Sequence, residues 1–171
     1  MTTPVSTAVN RRYSAPEAKP TSWEDTVRVL EAAELFWLTT VRPDGRPHQT
    51  PLVAAWGEGG IHFHTGATEV KFANLQANPH VVLTTGCDSW DRGLDVVIEG
   101  TAAQVTDKAV LERLAPLWAP KWDGRWALEA HEGGFSDPGV DHFTSVVFSV
   151  TPTKIDAHAK GDPFGSTTHR F

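Results

Sequence analysis

The 171-residue sequence contains one cysteine, Cys87, one tyrosine and one methionine. A single cysteine excludes an internal disulfide framework and a metal knuckle built from several thiolates, so we expect a reducing, cytoplasmic setting. Basic residues are also scarce, because 15 lysines and arginines against 21 aspartates and glutamates give a formal net charge of −6. An acidic chain of this kind has no general attraction for nucleic acids or anionic membranes.

Long apolar runs are missing as well. No stretch approaches the roughly 20 apolar residues with which a helix crosses a bilayer. Arg11 and Arg12 are not followed by an apolar run, so the beginning of the chain is not expected to be a secretory signal. Proline, threonine, serine and alanine dominate this region, which predicts a flexible tail over 1–20 and a single domain over 21–171.

Tryptophan, by contrast, is abundant, with seven residues. Trp118, Trp122 and Trp126 recur every four residues, but Pro120 and Gly124 argue against one long helix in this segment. Indole rings bury large apolar areas when they pack. We therefore expect most tryptophans to lie in the core or in a dimer interface, and at most one or two to line a planar cofactor.

The hydrophobic pattern predicts a mainly β protein with peripheral helices. The first helix opens at Thr21, three residues before Glu24, which is the spacing of a capping box. A short second helix over 70–77 ends before Pro79, and a third covers 107–117. The segments predicted as strands are Leu35–Val41, Pro47–Trp56, Ile61–Thr65, Val81–Thr85, Asp95–Val105, Phe143–Val150 and Lys154–Ala157. Hairpin connections and a single strand–helix–strand unit favour an antiparallel barrel over a parallel sheet.

One candidate site lies between the third strand and the second helix. Thr65 and Gly66 end the strand, and Lys71 falls in the first turns of the helix. Backbone N–H groups at a helix start attract anions, glycine lets a ligand approach the backbone, and a lysine adds positive charge. The same residues also fit an ordinary connection with a solvated lysine.

Three segments, FWLTTVRPDGRPHQTPLV, IHFHTGATEVKFANLQANPHVVL and DVVIEGTAAQV, resemble the pyridoxamine 5′-phosphate oxidase-like superfamily. The shared features include a G-x-P turn, a strand ending in Thr-Gly, a K-x-x-N-L-x-x-N-P helix and a V-x-x-E-G-x-A strand, in the same order over residues 22–106. The closing S-T-T-H-R-F is similar to the chain ends of actinobacterial members. This resemblance implies a six-stranded antiparallel split barrel of the FMN-binding type, homodimeric, with two cofactor sites in the dimer interface.

The resemblance also implies the cofactor and its contacts. Family members bind FMN, coenzyme F-420 (a deazaflavin) or, in some branches, heme. The implied contacts with the ring are Thr50, Pro51, Leu52 and Val53. The ribityl chain is implied to contact His64 and Thr65, and the phosphate to contact Gly66 and Lys71. The partner subunit is implied to contribute Asp95, His169 and Arg170. No catalytic residues are assigned, because a flavin-type cofactor carries the hydride itself.

Several positions depart from the true pyridoxamine-phosphate oxidases. Those enzymes have arginines where this chain has Thr50 and Val70, and a serine where it has Glu69. His169 stands where related actinobacterial chains have a tryptophan. Phosphate binding relies on several charge-assisted hydrogen bonds, and of the basic ligands only Lys71 remains. We therefore expect an oxidoreductase that transfers hydride between coenzyme F-420 or FMN and an unidentified small molecule, and not vitamin B6 oxidation.

Other functions stay open at this point. With fewer phosphate ligands, the barrel also fits a non-catalytic carrier or sensor of a cofactor or heme, or a dimer that binds nothing. His62 and His64 share one face of a strand and, with His48, are candidate zinc or iron ligands, although no carboxylate completes the set. A composition typical of actinobacteria slightly favours coenzyme F-420 over FMN. Substrate choice is expected to depend on the loop 86–94, the segment 116–126 and the C-terminal residues.

Overall fold

The computed structural model describes residues 2–140 and 143–171, and this part of the chain forms one antiparallel sheet of eleven strands. Its helices are α1 (Trp23–Ala32), α2 (Val70–Ala77) and α3 (Lys108–Leu114). In chain order the strands are β1 (Ser6–Val9), β2 (Phe36–Val41), β3 (Pro47–Leu52), β4 (Ala54–Gly57), β5 (Gly60–Thr65), β6 (His80–Thr85), β7 (Leu94–Val105), β8 (Glu129–His131), β9 (Gly134–Ser136), β10 (Thr144–Ala159) and β11 (Gly165–Arg170).

Six strand positions close into a barrel. β2 pairs with β3, which continues through Val53 into β4, and β4 pairs with β5. β5 pairs with β10, β10 with β7, β7 with β6, and β6 with β2, so that the ring returns to its start. The predicted strand over 47–56 is thus β3 and β4 together. The expected six-stranded antiparallel split barrel is confirmed.

The longest strand, β10, replaces two predicted strands. Its first half pairs with β5, its second half pairs with β11, and β7 runs along both halves. The register with β7 shifts between Pro152 and Lys154, where proline has no N–H for the ladder. Opposite, a Cβ on Gly100 would lie 2.5 Å from the carbonyl oxygen of Thr151, so glycine permits the close approach. The irregularity interrupts the register without ending the strand.

Two apolar clusters pack on the two faces of β5. Ile61 and Phe63 point into the barrel core, where both are fully buried. On the other face lies a second group, termed the outer cluster, whose buried members are Ala55, Leu111, Leu114, Ala115, Trp118, Phe135 and Val147. Side chains alternate along a strand, so His62 and His64 face away from the barrel core. They are nevertheless buried, because α3 and the following residues cover that face.

The prediction of a flexible tail over 1–20 is wrong for much of that region. β1 pairs with β11, and a 3-10 turn follows at Arg11–Tyr13. Ala15 and Ala18 are buried. An open strand edge invites unwanted pairing, and β1 covers the edge of β11. Composition does not reveal this strand, because its side chains are mostly exposed and provide no apolar alternation.

The helix boundaries also differ slightly from expectation. Ser22, one residue after the predicted cap, opens α1, and its hydroxyl oxygen accepts a hydrogen bond from the Asp25 N–H at 3.0 Å. α3 ends at Leu114, and a 3-10 turn at Ala115–Leu117 follows it. Among the described residues, no helix has both the length and the apolar character needed to span a membrane.

Candidate functional site

An anion-binding arrangement forms where β5 ends and α2 begins. Gly66 directly follows β5, and Glu69 is the N-cap residue of α2. Oε1 of Glu69 accepts a hydrogen bond from the Gly66 N–H at 2.9 Å, and Oε2 accepts one from Nζ of Lys71. A backbone N–H and an ammonium group therefore converge on one carboxylate. These two donors, Gly66 N–H and Lys71 Nζ, are termed the anion cradle.

The two charged residues of this arrangement differ in exposure. Lys71 is only 8% exposed, which is rare for a lysine unless it is paired. Glu69 keeps 48% of its side chain in contact with solvent. Burial acts to raise the pKa of Glu69, but hydrogen bonds from Lys71 and the Gly66 N–H outweigh it and hold this pKa below its ordinary value. The carboxylate is therefore ionised at neutral pH and neutralises the buried ammonium.

Buried polar atoms without partners occur on several strands, including β5, which ends at the cradle. Within the described residues, Thr65 Oγ1 and His64 Nε2 make no hydrogen bond, although these residues are only 3% and 9% exposed. Thr50 Oγ1 on β3 is buried and unpaired in the same way. Most buried polar atoms in folded proteins have a hydrogen-bond partner. These orphaned atoms mark positions where a polar ligand atom or a water molecule would complete the site.

His64 is enclosed by aromatic rings that sequence reasoning did not assign to it. The ring centroids of Trp118, Trp126, Phe135 and Phe143 lie between 5.2 and 6.2 Å from the centroid of His64. Burial lowers the pKa of this histidine to about 4. Its imidazole is therefore neutral at pH 7 and does not act there as a charged proton donor.

The four residues predicted to lie along the cofactor ring occupy the end of β3 and the bend before β4. They are Thr50, Pro51, Leu52 and Val53. Leu52 packs against the barrel core, whereas Val53 packs against the outer cluster. Pro51 is exposed and pairs across the sheet with Trp37, which is 50% exposed. The bend thus carries this segment from the barrel wall to the cluster that encloses the histidine of β5.

Asp95 lies in a different part of the molecule. Its Oδ1 accepts hydrogen bonds from Lys160 Nζ at 2.9 Å and from the Cys87 N–H at 3.3 Å. The ion pair joins the start of β7 to the end of β10. Beside it is a cleft of about 1020 Å³, whose exposed aromatic lining residues are Tyr13, Trp90 and Phe164.

The length of β10 separates this cleft from the anion cradle. Thr65 lies opposite Val146 on β10, whereas Asp95 lies opposite His158. An extended strand between those two positions covers about 40 Å. Within one chain, the structure therefore does not bring Asp95 to Lys71. A contribution of Asp95 to the cofactor site requires a second copy of the protein.

His169, another predicted cofactor contact, is used inside its own chain. It is fully buried, and its two ring nitrogens lie 2.9 Å from Thr7 Oγ1 and 3.0 Å from Thr26 Oγ1. The ring of Trp23 packs edge-on at 5.2 Å. Burial lowers the pKa of His169. These contacts give His169 a structural role in its own chain, whereas Arg170 is exposed.

The three histidines considered as metal ligands do not form a metal site. Nε2 of His62 lies 2.9 Å from the carbonyl oxygen of Gly57, and His64 is enclosed by aromatic rings. In the part of the chain that the structure describes, no three His, Cys, Asp or Glu residues are grouped to hold a metal ion.

The sequence shows Glu69 where related enzymes have a serine, but its bond to Gly66 was not predicted. The spacing offered a signal, because a carboxylate three residues after a strand-ending glycine can reach back to that N–H. The partnership of Asp95 with Lys160 offered no such signal, since 65 residues separate the two in the chain.

A closed, six-stranded antiparallel split barrel with an anion cradle after its third barrel strand defines the class of this protein. The family model described as pyridoxamine 5′-phosphate oxidase matches residues 22–159, and the chain belongs to this family. No curated protein matches the sequence.

Solved structures share the fold at low sequence identity. A conserved hypothetical protein from Mycobacterium tuberculosis is 24% identical, with 80% of this chain and 84% of that chain covered and a TM-score of 0.65. An FAD-binding protein from Mycobacterium smegmatis is 17% identical, with coverage of 88% and 98% and a TM-score of 0.58. A heme storage protein from Vibrio cholerae is 15% identical, with coverage of 77% and 91% and a TM-score of 0.59. At these identities the similarity establishes the fold alone.

Proposed function

We propose that the protein is a flavin- or deazaflavin-dependent oxidoreductase that transfers hydride between FMN or coenzyme F-420 and a small molecule. The anion cradle is the observation that carries this proposal. Its two donors, Gly66 N–H and Lys71 Nζ, already hold one anion, the carboxylate of Glu69, at the position where the family resemblance puts the cofactor phosphate. Phosphate oxygens accept the same charge-assisted hydrogen bonds, so the residues present fit a phosphate group.

The remaining contacts follow from the polar atoms that lack partners. The hydroxyls of Thr50 and Thr65 are free to bond the ring and the ribityl chain. Val53 and the outer cluster supply an apolar wall that excludes water on one side. When bound, the cofactor supplies hydride transfer at its central ring, and the protein supplies binding and orientation. Family membership and the FAD-binding neighbour support a flavin-type ligand.

The proposal includes a homodimer with the cofactor between the subunits. Asp95 lies far along β10 from the cradle of its own chain, so it contributes only across an interface, and the exposed Arg170 is available to a partner. Exposed apolar side chains beside the candidate site give such an interface its apolar contacts: Leu35, Trp37 and Val70 are 55%, 50% and 46% exposed. Light scattering at micromolar protein concentration is expected to give the mass of two chains. The mass of a single chain would contradict the interfacial site.

Fluorescence titrations test the cofactor directly. The purified protein is titrated separately with FMN and with coenzyme F-420, and saturable binding of one of them is expected, with a dissociation constant on the order of micromolar. The bound cofactor is then reduced, and its reoxidation by candidate small molecules is followed. Failure of both cofactors to bind would remove the oxidoreductase proposal.

A non-catalytic carrier is the second candidate function. Its support is that the cradle has a single lysine, whose charge Glu69 already neutralises, and that one structural neighbour stores heme. Tight binding of FMN, coenzyme F-420 or heme without turnover of the reduced form by any acceptor would favour the carrier. Turnover of the reduced cofactor would favour the enzyme.

A further inference from the structure

Glu69 satisfies both donors of the anion cradle with one side chain. Its carboxylate bonds the Gly66 N–H through one oxygen and Lys71 Nζ through the other. A phosphate that used the same two donors would have to occupy the same space, and two anions at this separation repel each other. The cradle therefore cannot hold the carboxylate and a phosphate together.

We propose that Glu69 is a built-in competitor for the cradle, so that the phosphate of a cofactor enters only when this carboxylate leaves Gly66 and Lys71. The inference rests on the proposed function, because it concerns the same site and the same class of ligand. Glu69 would then determine how much the phosphate group contributes to the affinity of the ligand.

The surroundings of Glu69 allow this exchange. Nearly half of its side chain is exposed, and it makes no capping hydrogen bond to the α2 backbone. Outward rotation therefore costs the two cradle bonds and buries nothing new. The three atoms nearest to a Cβ built on Gly66 all belong to Glu69, at 3.4 to 3.9 Å, so space beside the glycine opens when Glu69 turns away. The carboxylate can therefore be displaced without disturbing the packed core.

A neighbouring residue indicates that the cradle serves a ligand larger than the carboxylate. Thr65, directly before Gly66, is 3% exposed, and its hydroxyl has no hydrogen-bond partner among the described residues. The Thr65 side chain lies beside Glu69, whose pKa it helps to lower. A phosphorylated ligand in place of the carboxylate brings additional oxygen atoms to this hydroxyl. The orphaned hydroxyl is thus a second observation, independent of the ion pair, that points to a ligand.

The test compares ligands that differ only in the phosphate. FMN and riboflavin are titrated into the wild-type protein, into Glu69→Gln, which keeps the shape but removes the charge, and into Glu69→Ala. The control is Glu112→Gln, an exposed glutamate on α3.

Both Glu69 variants are expected to bind FMN about tenfold or more tightly than the wild type, the scale of a hydrogen bond to a charged group. Riboflavin affinity is expected to stay within about twofold in every variant. Equal FMN affinity in the wild type and both Glu69 variants would overturn the inference while leaving the proposed function intact.

A second readout does not depend on any flavin. Inorganic phosphate is added to the same proteins, and the midpoint of thermal unfolding is recorded. Glu69→Gln is expected to be stabilised by phosphate more than the wild type and the Glu112→Gln control, and the gain is expected to vanish in Glu69→Gln combined with Lys71→Ala. If FMN and coenzyme F-420 bind none of the proteins but this phosphate response is present, the proposed function fails and the competition stands. Absence of the phosphate response would overturn the competition itself.

Discussion

Two buried histidines, His169 on β11 and His64 on β5, show how a structural contact differs from a candidate site. His169 is fully buried, and both of its ring nitrogens meet threonine hydroxyls, one on β1 and one on α1. His64 is 9% exposed, and its Nε2 has no partner among the described residues. The sequence treats the two alike, as polar residues near the end of a strand. The structure separates them by whether their polar atoms are satisfied.

The surroundings follow the same division. The histidine of β11 ties together the N-terminal strand, the first helix and the C-terminal strand, so its hydrogen bonds stabilise the fold. The histidine of β5 lies beneath aromatic rings, and its Nε2 remains unpaired. Unpaired buried polar groups cost stability, so the unpaired hydroxyl of Thr65 beside the cradle is a position where a ligand atom would add a hydrogen bond. Substitutions around both histidines test this contrast, and their expected effects decrease from Lys71→Ala to Thr7→Val.

Lys71→Ala tests the positive charge of the anion cradle. Loss of the ammonium is expected to weaken FMN or coenzyme F-420 binding by about 1.5–3 kcal/mol, the scale of a hydrogen bond to a charged group. Fluorescence titration measures the change. Lys108→Ala, which removes an exposed lysine on α3, serves as the control and is expected to leave binding unchanged. Unaltered affinity in Lys71→Ala would remove the phosphate role of this lysine.

Acid is expected to destabilise the protein through His64. Burial lowers the folded-state pKa of His64 from 6.5 to about 4, so the unfolded chain binds the proton first as the pH falls. The free energy of unfolding therefore decreases on acidification, by about 2 kcal/mol between pH 7 and pH 5 from this group.

Denaturant unfolding at the two pH values measures this slope. His64→Gln is expected to lower it, whereas His80→Gln, a change at an exposed histidine, is expected to leave it as in the wild type. An equal slope in the wild type and His64→Gln would show that His64 is not held neutral by the fold.

Thr26→Val and Thr65→Val compare the surroundings of His169 with those of the anion cradle. Thr26 donates to or accepts from Nε2 of His169, so its loss leaves a buried ring nitrogen unpaired and is expected to cost about 1–3 kcal/mol of stability. Thr65 has an unpaired hydroxyl already, so the same substitution there is expected to cost less than about 0.5 kcal/mol. Thermal unfolding compares them. A larger loss for Thr65→Val than for Thr26→Val would reverse the contrast.

Thr7→Val probes the other nitrogen of His169 from the N-terminal strand. The hydroxyl of Thr7 lies 2.9 Å from Nδ1, but Thr7 is exposed, so water compensates part of the loss. The expected cost is about 0.5–1 kcal/mol, smaller than for Thr26→Val. A melting temperature equal to that of the wild type would show that the hydrogen bond between Thr7 and His169 adds nothing to stability.

The parts of the fold that sequence predicts well are local or periodic. The antiparallel barrel follows from strands joined by hairpins together with the family resemblance, and the cradle follows from Gly66 and Lys71, which are close in the chain. β1 escaped prediction because its side chains are exposed, and a strand is identified from sequence by a buried face. Its stability comes from pairing with β11, at the far end of the chain.

Separation along the chain also decides which contacts of the site residues can be predicted from the sequence. Lys71 and Thr65 flank one short connection, so the motif that contains them also brings them together. The partners of His169 lie 143 and 162 residues away, and no local pattern connects them. The aromatic rings around His64 come from residues 118–143, beyond the motifs over 22–106 on which the resemblance in the sequence depends. Contacts that depend on long-range packing become visible only in the folded chain.

The most direct test of the proposed site is a crystal structure of the protein grown with FMN. We predict that the phosphate bonds the Gly66 N–H and Lys71 Nζ, that Glu69 has turned away, and that the ring lies along Thr50–Val53 with a second copy completing the site. FMN bound elsewhere, for example in the cleft beside Trp90, with the carboxylate of Glu69 still bonded to both donors, would contradict it.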